Sequence, residues 1–352
     1  MDGSSCAASI IACYFSDFKQ DQPALTEVRQ ACGTPLTQLC TGMLRYPSGV
    51  IGFRRRPQRL ADTFTLLGQS SAVANIVMQL SLPPVGEGVS ESRVVSGSPR
   101  RRPIKRGRTT LQYLALAVMG TEEDRAAMRQ AVAEVHRAVV STSDSPVRYS
   151  GNARDLQLWV AVCLFRYYLD QYTFEFGPLT EPELDTLVRA GEPLATGVQV
   201  PPGDWPASWA EYRTYWDAML PKLSISADVH RDFESLADLS FLAESWGVVG
   251  RFVSAVLGRP YHWFTRANLP QHFRDLMGWS WTAKDQKRFV RILWLLRQVD
   301  RFINPWSTRI IYRLYIWDFR LRRGRGRPVL GRLTLSDAMI RDGGGSRRTI
   351  KH

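Results

Sequence analysis

Apolar residues recur at helical spacing through most of this 352-residue chain, in runs opened by capping residues and closed by glycine or proline. Leu66, Leu67, Val73, Ile76, Val77 and Leu80 predict a buried helix that stops before Pro83 and Pro84. Thr109-Thr110-Leu111-Gln112 fits a capping box and predicts a helix from about Thr109 to Met119, stopped by Gly120. Thr121 with acids at 122 to 124 opens the next helix, whose inner face is Met128, Ala131, Val132, Val135 and Val139. Asn152 is placed to cap a further helix carrying Leu156, Trp159, Val160, Cys163, Leu164 and Tyr167. Three later segments start with Pro, Ser or Thr near acids and continue at helical period, and the stretch from Lys284 to about Phe319 does the same around Pro305. Alternating runs with hairpin turns are nearly absent. The pattern therefore predicts one largely all-α domain.

The rest of the composition narrows the setting. No stretch of eighteen or more apolar residues appears, which argues against a spanning helix. The N-terminus has an acidic second residue and no basic region, so it reads poorly as a signal peptide. Five cysteines, odd in number and without C-x-x-C pairs, fit a reducing compartment better than a disulfide scaffold or a zinc site. A cytoplasmic protein is expected. The net charge of +13 is concentrated near the end: from Arg320 onward ten Arg and Lys face two Asp. Such a tail reads as solvated and disordered, with weak peripheral contact to an acidic membrane as its conceivable role. The segment "RILWLLRQVDRFINPWSTRIIYRLYIW" has a basic and aromatic mix that suits an interface, although ordinary amphipathic core is the commoner meaning of such a run.

Motifs for a nucleophile elbow, a phosphate loop, a zinc protease or a Cys-pair site are missing. The histidines are His136, His230, His262, His272 and His352, with none paired at helical spacing. A lone helical histidine is more often packed or hydrogen-bonded than a ligand. His136 nevertheless sits at the margin of an apolar helical face, a position that suits axial ligation of haem iron. Six of the nine residues from Arg100 to Arg108 are basic. They read as a solvated loop, or as partners for propionates or an anionic substrate. The basic runs lack the signature of a specific nucleic-acid reader.

The order of motifs says more than any one of them. "LLGQSSAVANIVMQLSLPPVGEGV" is followed by "KRGRTTLQYLALAVMGTEEDRAAMRQAVAEVHRAVV" and then "VRYSGNARDLQLWVAVCLF". This succession resembles the family of the rubber oxygenase (latex-clearing protein) and the mycophenolic-acid-pathway oxygenase MpaB, most clearly over residues 60 to 240. The resemblance implies a single globin-like all-α domain around a b-type haem, with His136, the histidine of the "VH" motif, as the proximal iron ligand. On the distal side the rubber oxygenase carries Arg-x-x-Lys-Thr. Lys105 here takes the Arg place, Arg108 the Lys place, and Thr109 is retained. A lysine can lose its proton and bind iron, whereas an arginine stays protonated and is a poor ligand. The resemblance also implies a distal acid, for which Glu91 and Glu87 are the candidates.

These readings divide the chain into an extension over 1–60, an oxygenase-like domain over 61–319 and a basic flexible tail over 320–352. The expected function is a haem-dependent oxidoreductase, an oxygenase acting with O2 on a small lipophilic substrate such as an isoprenoid or other alkene. Arg108 and Thr109 are expected to polarise the oxygen adduct. A non-catalytic carrier of haem or a lipophile on the same core is the alternative, followed by a basic module that binds membranes or nucleic acid.

Overall fold

A computed structural model describes residues 60, 71–92, 102–176, 179–303 and 306–331. The described residues are helical, joined by turns and one isolated β-bridge between Val140 and Ser150. In chain order the α-helices are α1 (Ala72–Leu80), α2 (Pro83–Ser90), α3 (Pro103–Met119), α4 (Glu122–His136), α5 (Arg154–Phe176), α6 (Glu181–Gly191), α7 (Pro193–Thr196), α8 (Trp209–Met219), α9 (Ala227–Ala237), α10 (Leu242–Ala267), α11 (Gln271–Leu276), α12 (Ala283–Ile303) and α13 (Trp306–Gly324).

α5 is the axis of the core. Residues 161 to 169 are buried without interruption, so this helix is enclosed on every side rather than on one stripe. α1 lies along it, with the Trp159 indole donating to the Gln79 carbonyl at 3.0 Å and the Asn75 amide to the Cys163 carbonyl at 2.7 Å. α7 wedges between α5 and α3. On the far side Phe165 meets the edges of Trp205 and Tyr212, and Trp209 stacks on Tyr212 at 5.3 Å. Gly191 makes this packing feasible, because a Cβ there would stand 2.6 Å from the Phe165 ring.

Several boundaries differ from those read in the sequence. α3 begins six residues earlier, at Pro103, whose missing N–H costs nothing at the first helical position. Thr109 is therefore inside the helix, its hydroxyl donating back to the Arg106 carbonyl at 3.0 Å instead of capping. Asn152 does not cap α5: its side-chain amide donates to the Ala133 carbonyl at 3.1 Å and closes the end of α4. The Thr121 cap is as predicted, with reciprocal bonds to Asp124. Pro83 and Pro84 end one helix and start another.

The division at residue 320 is not a boundary. α13 runs through it to Gly324 and packs along α3. Arg320 reaches the buried Asp124 at 2.6 Å, and Arg323 reaches Glu123 at 2.6 Å. Val329 and Leu330 rest against the core. Acids at the start of α4 attract these arginines, so the charges that suggested a solvated tail instead hold the segment down to Gly331. The extension over 1–60 lies outside the described residues except for Leu60, as do residues 332–352. The aromatic-basic segment around α12 and α13 is only half core. Phe289, Leu293, Tyr312, Ile316 and Phe319 are buried, while Trp294, Leu295, Leu314 and Trp317 are exposed.

Candidate functional site

The first turns of α3 carry Lys105, Arg106 and Arg108. Cations at a helix N-terminus oppose the macrodipole, so each needs another reason to be there. Arg108 has a structural one. Its guanidinium pairs with Asp318 on α13 at 3.1 Å, and the same carboxylate accepts from Gln112 at 2.6 Å and from Arg322 at 3.0 Å. Partial burial raises the Asp318 carboxyl pKa, but Arg322 and then Arg108 more than offset it and hold the group below the usual carboxylate range. Lys105 turns toward Gly331, where a Cβ would lie 3.1 Å from its Nζ. Its pKa is lowered, first by desolvation and then by Arg108 and Arg102.

Arg106 is different. It keeps accessible surface, yet desolvation by the surrounding protein lowers its pKa. Its charge is felt by His136.

His136 is the last residue of α4. The chain turns immediately after it, with the Val139 N–H bonded to the His136 carbonyl at 3.0 Å and the Gly151 N–H to the Val139 carbonyl at 2.7 Å. The returning strand of this loop passes so close that a Cβ on Gly151 would lie 2.9 Å from the His136 carbonyl oxygen and 3.1 Å from its Cβ. Glycine at 151 is what lets its carbonyl reach the imidazole. That carbonyl favours the protonated ring, but burial dominates, followed by repulsion from Arg106, and together they pull the His136 pKa down to about 4. The imidazole is therefore neutral at ordinary pH, the form that ligates a metal.

Gln157, buried on the first turn of α5, organises this corner. Its amide oxygen accepts from the Gln199 N–H at 2.6 Å, which fixes the orientation of the amide. Its nitrogen then donates to the Gly151 carbonyl at 2.8 Å and stands 3.3 Å from His136 Nδ1. The Gly151 carbonyl and the Gln157 amide thus both meet the His136 ring, and between them they set its orientation and tautomer.

The two candidate acids separate clearly. Glu91 ties the loop to α2, accepting from Ser145 at 2.6 Å and Tyr149 at 2.7 Å. The Tyr149 ring lies over Gly88, where a Cβ would be 3.2 Å from it. Glu87 is the buried one, 7% exposed, and among the described residues no side chain hydrogen-bonds its carboxylate. The remaining described histidines have other surroundings: His230 approaches the Met277 carbonyl at 3.2 Å, His262 pairs with Glu234 at 3.0 Å, and His272 packs on Phe273.

Arg106, Gly151 and Gln157 were not singled out from the sequence. Pro103 offered a signal for the first, since starting the helix there brings Arg106 onto its first turn. A glutamine flanked by Leu156 and Leu158 in an otherwise apolar run was the signal for the third. Nothing local marks Gly151 as distinct from other loop glycines.

Among the described residues no group of three or more His, Cys, Asp or Glu could hold a metal ion. A single neutral imidazole is a poor site for a bare metal and a sufficient one for a macrocycle that brings its own four nitrogens. Fold and site thus define an all-helical protein with a half-buried histidine, His136, presented from a helix end. The chain belongs to the family described as "ER-bound oxygenase mpaB/B'/Rubber oxygenase, catalytic domain", which it matches over residues 58–298. Uncharacterised proteins of Mycobacterium bovis and Mycobacterium tuberculosis are each 42% identical to it over 258 residues, covering 73% of this chain and 98% of theirs. No solved structure matches.

Proposed function

We propose that this protein is a haem-dependent oxidoreductase, an oxygenase acting on a small lipophilic substrate. Membership of an oxygenase catalytic-domain family supports the reaction class. The observation that carries the cofactor is His136, a neutral imidazole oriented at the Gly151–Gln157 corner. Bound haem would supply activation of O2 or a peroxide.

The protein's own contributions follow from where its side chains lie. His136 would hold the cofactor, its ring oriented by the Gly151 carbonyl and the Gln157 amide. Arg106, whose charge disfavours protonation of His136, would be the cation available to meet a propionate or a developing negative charge, a role the sequence alone suggested for Arg108. Arg108 and Lys105 act at one remove: Arg108 locks α3 to α13, and Lys105 packs against Gly331. Thr109 holds the first turns of α3 together. Glu87 replaces Glu91 as the candidate distal carboxylate, since Glu91 is committed to Ser145 and Tyr149. An alkene of the isoprenoid type fits the family and an apolar helical interior.

The test is a UV–visible spectrum of the protein purified with adequate haem supply. A Soret band at about one haem per chain, lost in His136→Ala, is the expected result. A variant that keeps full haem and an unchanged spectrum would show that another group holds the cofactor.

A further inference from the structure

α10 is amphipathic the wrong way round for a surface helix. Its inward side is built from Gly250 and Gly258, pressed against the Leu242 and Asp238 carbonyls, with the Ser254 hydroxyl donating to the Asp238 carbonyl at 3.0 Å. Its outward side is apolar: Val248 is 70% exposed, Val249 62%, Phe252 69% and Val256 55%. These positions follow i, i+1, i+4 and i+8, one continuous stripe. α12, in contact with α10, exposes Trp294, Leu295 and Val299 in the same way. Core burial cannot explain side chains that face outward.

The charge around the stripe points to what covers it. Between Leu242 and Gly331 there are seventeen Arg and Lys against five Asp and Glu, a net +12 out of +13 for the chain. Arg251 and Arg259 are exposed on α10, and Lys284, Lys287, Arg288 and Arg291 on α12. A cleft between the two helices is lined by Arg259, Arg266 and Arg288, alongside Glu234 and Asp238. Glu234 is occupied by His262 and Trp279, and Asp238 accepts from the Ser240 N–H. The Arg266 Nε is buried without a hydrogen-bond partner. A second copy docking face to face would set two strongly cationic surfaces together. Residues 1–59 and 332–352 are each net +3, so neither end of the chain brings compensating negative charge.

We infer that the exposed faces of α10 and α12 dock on an anionic lipid bilayer, the apolar stripe entering the headgroup–acyl boundary and the arginines binding lipid phosphates. The stretch from 227 to 267 contains a window apolar enough to be considered as a span, and only 17% of that window is buried. Spanning is nevertheless opposed by its geometry. Gly247, at φ +55°, breaks the helix, and Arg251, Arg259 and Arg266 punctuate the turns beyond it. A helix of this kind lies in the interface.

The test is co-sedimentation of the full-length protein with vesicles of phosphatidylcholine alone and of phosphatidylcholine mixed with phosphatidylglycerol. Binding to the mixed vesicles that weakens with salt is expected. Phe252→Glu with Val256→Glu should lower partitioning at least about tenfold. Arg259→Gln and Arg288→Gln should each lower it roughly fivefold. All four substitutions are at exposed positions, and unchanged far-UV circular dichroism would confirm folding. Wild-type protein left in the supernatant with mixed vesicles would overturn the inference. So would an apolar double variant that binds like wild type, or one whose only effect is to convert a dimer to a monomer in light scattering. None of these readouts depends on haem or turnover.

Discussion

Gln157 Nε2 stands 3.3 Å from His136 Nδ1 while donating to the Gly151 carbonyl at 2.8 Å, so one buried amide sets the surroundings of the candidate ligand. Gln157→Leu keeps the volume and removes the bonds. It leaves the Gln199 N–H and part of the Gly151 carbonyl unsatisfied, at a cost of about 1–3 kcal/mol. A lower Tm should accompany weaker haem retention. Glutamate at 157 cannot donate to the carbonyl and should shift the Soret position through the His136 ring.

Arg106 and Arg108 are two residues apart and should behave differently. Arg108→Ala breaks the Asp318 link between α3 and α13 and should lower the unfolding free energy by about 1 kcal/mol, as for a partly exposed pair, with the haem spectrum unchanged. Arg106→Ala removes the charge that opposes protonation of His136 and should change haem affinity or reduction potential more than stability. Equal effects of the two on the spectrum would contradict the assignment of Arg106 to the site.

The depressed His136 pKa makes a pH prediction for the haem-free protein. The folded ring titrates at about 4, held there by burial first and Arg106 second. The unfolded chain titrates near the ordinary value of about 6.5. Stability from this group is complete above that value and declines as pH falls through the window between the two, because the unfolded state takes up a proton that the folded state resists. The loss should be on the order of 2 kcal/mol, read as a falling urea midpoint. His136→Gln should flatten the slope in that window.

Truncation tests the docking of α13 on α3 and α4. Ending the chain after Phe319 removes Arg320 from the buried Asp124 and Arg323 from Glu123. Desolvation pushes the Asp124 carboxyl up, and the bonds from Arg320 and Thr121 outweigh it and hold it low. Losing Arg320 should cost about 1–3 kcal/mol.

The helices themselves were legible in the sequence because their signals are local. The Thr121 cap, the face through Met128 and the apolar run through Trp159 and Tyr167 each lie within a few turns of chain. His136 was likewise reachable, since its place at the margin of a helical face and the order of neighbouring motifs are properties of sequence alone. The partners of the cations were not. Arg108 meets Asp318 and Arg320 meets Asp124 across about two hundred residues, and charge counting along the chain reads both arginines as solvated. Glu87 and Glu91 look equivalent four residues apart, yet only packing against the 137–153 loop commits Glu91 and leaves Glu87 buried. The outward stripe of α10 was hidden for the same reason. Periodicity reports that a helix has an apolar side, and only the fold decides whether that side faces the core or the outside.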